Sequence, residues 1–281
     1  MPELPEVETI RTGLAASLSR ESRICSVQIR RSSLRVPIPR ELGRLITGSE
    51  VYAVRRRAKF LLFDIGDYTL ISHLGMSGSW RFIQASKNSG DENHGRYLKH
   101  DHFSLHFADG RELVLNDPRR FGLLDVAPRG LENQNRWLKN LGLEPLDRDF
   151  TAQQLRSRAS HRQVMVKNFL MDQKVVVGIG NIYASEILHR AGIRPSRRVN
   201  RLSIRQCNDV VVATREVLKS AIREGGTTLR DYRAPDGSNG RFKRALRVYD
   251  RAGLPCFNCS APIQSRVMAG RATYWCRVCQ K

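Results

Sequence analysis

The stretch FSLHFADGRELVL, residues 103–115, is the clearest indication in the sequence of how the first half of this chain folds. Apolar and polar residues alternate from Phe103 to Phe107, which is the period of a strand with one buried face. Ala108-Asp109-Gly110 is a turn signal, and the alternation resumes over residues 113–115. The stretch therefore predicts an antiparallel β-hairpin.

The β pattern extends outward from this hairpin, from Ile24 to about Ala127, and predicts further strands at 51–65 and 68–83. Before it, apolar residues between Glu3 and Leu18 recur at the spacing of one helical face. An antiparallel sandwich or barrel with this first helix packed on it is expected. Residues 84–100 are polar and aperiodic, which predicts a mobile loop.

After Pro128 the pattern becomes helical, with Gly192 and Gly225-Gly226 as stop signals. Three domains are predicted, at 1–130, 131–226 and 227–281. The predicted helices are Ala152 to Ser160, Val164 to Asp172, Ile182 to Ala191 and Ile204 to Arg223.

The composition points to a polyanionic partner. Forty-eight Lys and Arg against 27 Asp and Glu leave a net charge of +21 spread along 281 residues. Nucleic acid is the expected partner. The N-terminus does not resemble a secretory signal and no apolar run is long enough for a membrane span, so a cytoplasmic protein is expected.

Four cysteines near the C-terminus have the spacing C-x2-C-x16-C-x2-C. Two close thiolate pairs joined by a loop can converge on one tetrahedral ion, which predicts a closed structural zinc site. Ile263 to Val267 and Thr273 to Trp275 are predicted strands, so Arg271 is placed near the tip of a hairpin. Cys25 and Cys207 are predicted to be buried apolar residues. The predicted zinc ligands are Cys256, Cys259, Cys276 and Cys279.

Residues 174–186, KVVVGIGNIYASE, read as a glycine turn leading into a helix. Asn181 is the predicted cap, and the backbone N–H groups at the helix start form a possible phosphate site. A helix cap without a ligand fits the pattern equally well. A dinucleotide fingerprint is disfavoured because Tyr183 stands where a third small residue is needed.

Two other segments suggest DNA contacts. In NDPRRFG, residues 116–122, Arg119 and Phe121 lie two apart and point the same way, as side chains inserted into a base stack do. Met76 in HLGMSG is a second apolar candidate, although Phe and Met are more often core residues. RRRAKFLL, residues 55–62, contains Lys59 and reads by default as a solvated basic face.

The N-terminal residues MPELPEVE are the most acidic part of this basic chain. With Met1 removed, Pro2 would be a secondary amine beside the carboxylate of Glu3, which suits a nucleophile with an adjacent acid. The alternative is compensation of a helix dipole by Glu3 and Glu6. From the residues alone, the motifs support only a zinc-containing nucleic-acid-binding protein.

Taken in order, MPELPEVET, RRAKFLL, HLGMSG, DPRRFG, LMDQKVVVGIGNIYASE and the terminal cysteine motif resemble the formamidopyrimidine-DNA glycosylase family from Met1 to Lys281. The resemblance implies an α+β protein of two lobes. An N-terminal helix and antiparallel β-sandwich precede a helical helix-two-turn-helix domain that carries a zinc-finger β-hairpin. Double-stranded DNA containing oxidised purines or abasic sites would lie across the cleft between the lobes of a monomer.

The resemblance also implies a bifunctional glycosylase and AP lyase of base excision repair that uses one structural zinc ion and no catalytic metal. It makes Pro2 the nucleophile and Glu3 the acid, with Lys59 and Arg271 assisting the eliminations that follow. The residues implied to contact DNA are Met76, His100, Arg119, Phe121, Arg162 and Asn181.

Some residues depart from the family pattern. His161 and Gln163 flank Arg162 where relatives are more basic, Asp250 replaces the glycine of a usual YGR, and Ser260 replaces a common glycine. None of them touches the implied chemistry. Two alternatives remain open: an oxidised-pyrimidine glycosylase of the same fold, and a zinc-containing DNA-binding protein without catalysis.

Overall fold

The computed structural model describes residues 1–18, 22–84, 97–227 and 242–281. The chain divides into two compact units. Within the described residues, the first unit comprises Met1–Pro2, Glu6–Lys139 and Thr227, and the second comprises Glu3–Pro5, Asn140–Gly226 and residues 242–281. The three predicted domain ranges stay a prediction. The expected mobile loop lies mostly at 85–96, outside the described residues.

The first unit contains two four-stranded antiparallel sheets in its described part. One sheet has the order β1-β6-β7-β5 and the other the order β2-β3-β4-β8. The strands are β1 Ile24–Ile29, β2 Val51–Arg57, β3 Phe60–Ile65, β4 Tyr68–His73, β5 Ser79–Gln84, β6 Asp101–Phe107, β7 Arg111–Asn116 and β8 Leu123–Pro128.

The predicted hairpin is confirmed as β6 and β7, which turn at Gly110 with φ 82°. The predicted strand at 51–65 is two strands, β2 and β3, joined by a turn at Ala58-Lys59. The predicted strand at 68–83 is also two, β4 and β5, which belong to different sheets. Gly75, at φ 61°, lies in the segment that crosses between them, and a left-handed residue there breaks the strand.

Aromatic packing joins the two sheets into a sandwich. The ring of Trp80 in β5 meets Phe63 of the opposite sheet with centroids 5.4 Å apart, and Phe103 in β6 at 5.9 Å. Its Nε1 donates to Ser72 Oγ at 3.0 Å, so the buried indole N–H has an acceptor. Each such buried side chain contributes roughly 1.5–3 kcal/mol through burial of apolar surface.

The first helix is α1, Leu4–Ser17, and it packs on the sandwich as predicted. Val7, Ile10 and Leu14 share a core cluster with the inward residues of both sheets. A short helix, α2 Leu42–Ile46, adds its two buried ends to the same core. The prediction that Cys25 is buried was wrong: it is exposed on β1, whereas Cys207 is buried as expected.

The described part of the second unit contains four further α-helices, and each lies within two residues of its predicted bounds. They are α3 Ala152–Ala159, α4 Val166–Met171, α5 Asn181–Arg190 and α6 Ile204–Arg223.

Two signals set the ends of α6. Ser203 and Gln206 form a reciprocal capping box at its start. Gly225 and Gly226 follow its end at φ 71° and 79°. Helix α6 packs on α3 and α5, and the residues that it buries are mainly apolar.

The C-terminal hairpin is formed by β9 Gln264–Met268 and β10 Arg271–Trp275. Ala269 and Gly270 form its turn, both with positive φ, so Arg271 is the first residue after the tip, as predicted. Within the described ranges, no helix is long and apolar enough to cross a membrane. The predicted α+β class, with an antiparallel sandwich, a helical region and a C-terminal hairpin, is confirmed.

Candidate active site

Glu3 lies in the second unit, where its carboxylate is bound by the first backbone N–H groups of α5. Its Oε2 accepts from Gly180 N at 2.6 Å and from Tyr183 N at 3.3 Å, and its Oε1 accepts from Ile182 N at 2.9 Å. These donors have no partner within the helix, and the positive end of the helix dipole attracts an anion. The side chain of Glu3 is only 3% exposed, so its position is fixed.

Two glycines make room for this contact. A Cβ on Gly180 would lie 2.4 Å from Glu3 Cδ, and a Cβ on Gly178 would lie 2.6 Å from Leu4 Cβ. Gly178 also has φ +81°, and its carbonyl accepts from Leu4 N at 2.9 Å. The glycine turn therefore serves as the receptor for the start of the chain.

Two expectations for this region were wrong, and one alternative does not fit the contacts. The residue that caps α5 is Gly180 rather than Asn181, and it caps without a side-chain hydrogen bond. The N–H groups of residues 180, 182 and 183 are occupied by Glu3 and do not face outward. The alternative was that Glu3 compensates the dipole of its own helix, but its carboxylate binds N–H groups at the start of α5 instead.

Lys167, Asn181 and the hairpin strand β10 meet at one carbonyl. Lys167 Nζ and Asn181 Nδ2 both donate to Ala272 O, at 3.1 and 3.0 Å, and Lys167 also donates to Thr273 Oγ1 at 2.6 Å. Arg271 is the exposed neighbour on the same strand. Two predicted site residues, Asn181 and Arg271, are thus brought together with a lysine that the sequence analysis did not select.

Lys167 is buried, and its environment changes its acidity. Burial, together with the charge of Arg271, lowers the pKa of its ammonium to about 8, although the carboxylate of Glu3 acts in the opposite direction. The signal available in the sequence was a single lysine inside the apolar helix VKNFLM of α4. A buried charged residue of this kind needs partners or a function.

The four predicted cysteines form one cluster, with all four Sγ atoms within 4.8 Å of one another. The Sγ atoms of Cys256 and Cys279 are 3.9 Å apart, and those of Cys259 and Cys276 are 3.4 Å apart. Tetrahedral Zn–S bonds of about 2.3 Å place sulfur atoms roughly 3.8 Å apart, so the cluster fits such an ion.

Helix α5 also anchors this cluster. Its Glu186 accepts from the backbone N–H groups of Arg247, Val248 and Tyr249 at 2.8 to 2.9 Å, which fixes the segment leading to the cysteines. One turn later, His189 Nε2 lies 3.7 Å from Cys256 Sγ. One helix thus holds Glu3 at its start and the cysteine cluster toward its end.

In the first unit, Lys59 occupies the turn between β2 and β3 and is 5% exposed. Its charge is felt at His73, which ends β4. Burial, together with the charges of Lys59 and Arg35, lowers the pKa of His73 to about 4, so His73 is neutral at physiological pH. His73 Nδ1 accordingly accepts from Gly75 N at 2.9 Å. Pro2 is also assigned to this unit and is buried.

Met76, Arg119 and Phe121 lie on neighbouring exposed turns of the first unit. Met76 is 37% and Phe121 46% exposed, and the guanidinium of Arg119 lies 4.9 Å from the ring of Phe121. A Cβ on Gly75 would lie 2.3 Å from the carbonyl carbon of Phe121, so the two turns touch through their backbones. We call these three exposed residues the wedge group.

A buried aspartate holds both turns of the wedge group. Asp117, fully buried, accepts from Ser77 Oγ at 2.7 Å and from Gly122 N at 2.8 Å. Ser77 Oγ in turn accepts from Arg119 N at 3.1 Å. The exposed side chains therefore stand on a rigid polar base.

Two further predicted DNA contacts, His100 and Arg162, and the buried Glu6 lie outside the groups of residues above. His100 lies at the start of β6, where its carbonyl accepts from Asp117 N at 3.0 Å. Arg162, between α3 and α4, pairs with Asp172 at 2.9 Å on the surface of the second unit. Glu6 is buried in the first unit and accepts from Thr227 N and Oγ1 at 2.8 and 2.9 Å, so it holds the start of the 227–281 region.

Both parts of the chain match models of one class of protein, a DNA glycosylase with a helix-two-turn-helix domain. The family model described as formamidopyrimidine-DNA glycosylase N-terminal domain matches residues 1–124, and that described as formamidopyrimidine-DNA glycosylase H2TH domain matches 141–233. The chain belongs to the formamidopyrimidine-DNA glycosylase family, as the sequence predicted.

Individual relatives cover the whole chain. It is 46% identical to the formamidopyrimidine-DNA glycosylase of Stenotrophomonas maltophilia over 100% of both chains. Its structure is similar to Lactococcus lactis Fpg bound to DNA with an abasic site, with TM-score 0.88, 34% identity and 99% of each chain covered. It is also similar to MutM bound to DNA with carbocyclic 8-oxo-G, with TM-score 0.87, 33% identity and full coverage of both chains.

Proposed function

We propose that this chain is a bifunctional DNA glycosylase and AP lyase that removes oxidised purines such as 8-oxoguanine and formamidopyrimidines in base excision repair. The observation that carries the proposal is the carboxylate of Glu3, held by three backbone N–H groups beside Pro2 in sequence. Family membership supports the substrate class, because solved relatives are bound to abasic and 8-oxo-G DNA.

In the proposed reaction, the amine of Pro2 attacks C1′ of the damaged nucleotide and Glu3 protonates the ring oxygen of the sugar. The base leaves, and the secondary amine forms a cationic iminium with C1′. That cation acidifies the 2′ hydrogens, so the 3′ phosphate departs by β-elimination and the 5′ phosphate by δ-elimination. Lys59 and Arg271 assist these eliminations. Pro2 acts only as a free terminus, so Met1 must be removed.

The damaged base has to leave the helix before Pro2 can reach the sugar, at a cost of a few kcal/mol. In this proposal the wedge group fills the gap, with Arg119 facing the orphaned cytosine. The exposure of Met76 and Phe121, above a buried polar base, supports that role. His100 and Arg162 contact the DNA and Asn181 contacts a phosphate, and the net charge of +21 supports binding of a polyanion.

The four-cysteine cluster is proposed to hold one structural zinc ion. Four thiolates satisfy all its positions, so the bound ion would stabilise the hairpin and take no part in the reaction. Elemental analysis should find one zinc per chain in the purified protein. Cys276→Ser should lose it and melt at a lower temperature. The site would be refuted if the purified wild-type protein contained no zinc and Cys276→Ser melted at the same temperature as the wild type.

The predicted ranges 1–130, 131–226 and 227–281 are proposed as a catalytic domain, a DNA-binding domain and a lesion-loop region with the zinc finger. A cytoplasmic location is proposed as well. Residues 228–241 fall outside the described residues, so no residue that selects the lesion is assigned within them.

Parallel nicking assays on 8-oxoguanine opposite cytosine and on thymine glycol test the proposal. Faster cutting at 8-oxoguanine supports the oxidised-purine assignment, and faster cutting at thymine glycol would replace it with an oxidised-pyrimidine glycosylase. DNA binding without nicking of either substrate would leave a zinc-containing binding protein. Glu3→Gln should abolish nicking while retaining DNA binding, and an active variant would remove Glu3 from the mechanism.

A further inference from the structure

We propose that Glu8 and Arg56 form a positioning pair that sets the turn carrying Lys59, and that the pair is needed for strand elimination more than for base release. The inference rests on the proposed role of Lys59. Glu8 was expected to be no more than part of a helix start, and Arg56 part of a solvated basic run. Their contacts assign both residues a more specific place.

The contacts run in one line from α1 to the turn. Arg56 Nε donates to Glu8 Oε2 at 2.8 Å, and Arg56 Nη1 donates to Ala58 O at 2.9 Å. The side chain of Arg56 is 10% exposed and that of Glu8 is 20% exposed, so the pair is largely shielded from solvent. Glu8 lies on α1, so it holds Arg56 from that helix. The other carboxylate oxygen of Glu8 accepts from Arg11 Nε at 2.8 Å, a contact that does not involve Arg56.

The turn itself needs such support. Arg57 pairs with Phe60, which leaves Ala58 and Lys59 as a two-residue hairpin loop. Ala58 has φ 54°, in the left-handed region that favours glycine, and a side chain there is strained. The carbonyl bound by Arg56 belongs to the peptide plane that joins Ala58 to Lys59. Fixing that plane fixes the direction in which the Lys59 side chain leaves the turn.

The neighbouring arginine shows that this contact is specific to one position. Arg55 lies on the opposite face of β2, because successive side chains of a strand alternate. It pairs with Asp64 at 2.6 Å and with Glu132 at 2.8 Å, and among the described residues its ion pairs and hydrogen bonds go to these two carboxylates and not to the turn. Arg55 therefore offers a matched control within the same basic run: it is also ion-paired and lies one residue away from Arg56.

The consequence concerns the later steps of the reaction. Pro2 and Glu3 carry the release of the base in the proposed mechanism, whereas Lys59 assists elimination. Loosening the turn should therefore slow elimination and leave base release and formation of the covalent intermediate close to wild type. A loss of overall stability alone would lower both activities together.

The test measures single-turnover base release from 8-oxoguanine DNA and, separately, elimination on a preformed abasic site. Arg56→Gln and Glu8→Gln should each slow elimination about tenfold or more while base release changes less than threefold. The double variant should be no slower than Arg56→Gln, since both changes remove the same support. Thermal melting of each variant is recorded alongside.

Arg55→Gln and Arg11→Gln are the controls. The first breaks ion pairs on the other face of β2, and the second removes the other partner of Glu8 while leaving the contact with Arg56. Both should eliminate at the wild-type rate. Equal slowing in Arg55→Gln and Arg56→Gln would overturn the inference, as would normal elimination in Arg56→Gln.

A Lys59→Met arm separates this inference from the proposed function. If Lys59→Met slows elimination and Arg56→Gln or Glu8→Gln does not, the positioning pair is refuted and the role of Lys59 stands. If Lys59→Met eliminates normally, the role of Lys59 and the positioning pair both fail. Should Arg56→Gln not fold, Glu8→Gln retains every arginine and decides the question alone.

Discussion

The turn that receives Glu3 and the turns that carry the wedge group use a buried carboxylate in opposite ways. At the start of α5, backbone N–H groups hold the carboxylate of Glu3, the group proposed to react. Beneath the wedge group, the buried carboxylate of Asp117 holds the backbone, and the proposed functional side chains stand above it in solvent.

The difference matches what each site is proposed to do. An acid that delivers one proton to one atom benefits from a single position, and burial with three donors supplies it. Side chains that enter a base stack must be reachable by DNA, so only their backbone can be held. Rigidity is placed in the side chain at the first site and in the main chain at the second.

Gly180→Ala should have the largest effect, because its Cβ would lie 2.4 Å from Glu3 Cδ and displace the acid. We expect a loss of about 10²–10⁴-fold in single-turnover base release, the contribution typical of general acid catalysis. DNA affinity should stay within a few-fold. Gly43→Ala, whose Cβ would make only an ordinary contact at 3.6 Å with Val27, is the control and should be active. Near-normal activity in Gly180→Ala would mean that Glu3 need not be held where it is.

Phe121→Ala tests the other side of the comparison. Loss of a stacking ring worth about 1–3 kcal/mol should slow base release from duplex DNA roughly tenfold. The effect should shrink when the damaged base is already unpaired, because less work is then needed to extrude it. Single-turnover assays on paired and mismatched substrates measure both rates. An equal loss on the two substrates would place Phe121 outside base extrusion.

Lys167 is a second buried ionisable group, and its charge interacts with that of Glu3. Its folded pKa of about 8 lies below the ordinary 10.5, so the folded state releases its proton first as pH rises. The free energy of unfolding should therefore increase between about pH 8 and 10.5. The gain is on the order of 3 kcal/mol, because the two pKa values differ by about 2.5 and one pKa unit corresponds to about 1.4 kcal/mol.

Lys167→Met is the control for that rise. Urea unfolding of both proteins across this pH range gives the difference, which cancels the other groups that titrate there. The variant should lack the increase attributed to Lys167. An identical pH dependence in the two proteins would contradict the lowered pKa.

The smallest effect is expected at two residues near the four-cysteine cluster, where a substitution should change backbone strain and leave the proposed functional residues in place. Asp250 and Ser260, which stand where the family pattern has glycine, lie at φ 58° and 60°, where glycine is favoured. Asp250→Gly and Ser260→Gly should each raise stability by up to about 1 kcal/mol, as relief of left-handed strain allows. Ser265→Gly, in strand β9, should instead lower it. Thermal melting of the three variants decides.

Local sequence patterns predicted much of the fold. Alternation predicted β6 and β7, helical spacing predicted α3 to α6, and cysteine spacing predicted a cluster that the structure brings together. These features depend on neighbours in sequence, so short windows suffice. The exposed side of β1 was missed at Cys25, because which face of an edge strand is buried depends on the elements packed against it.

The site required contacts between distant residues, which no window contains. Glu3 and the start of α5 are 177 residues apart at Gly180, so a turn predicted to face a phosphate turned out to hold a carboxylate. Lys167 gained its shifted pKa from burial beside Arg271, and Arg56 its contact with Ala58 from the hairpin turn. Residue types indicated the chemistry, but the partners of each residue came from the structure.

We propose that the amine of Pro2 is the nucleophile and that the next residue, Glu3, is the acid, with its carboxylate held in one position. Borohydride reduction of the protein reacting with 8-oxoguanine DNA, followed by peptide mass mapping, tests it most directly. We expect a covalent DNA adduct on an N-terminal peptide that begins at Pro2, with Met1 removed. An adduct on another residue, or trapping by protein that retains Met1, would contradict it.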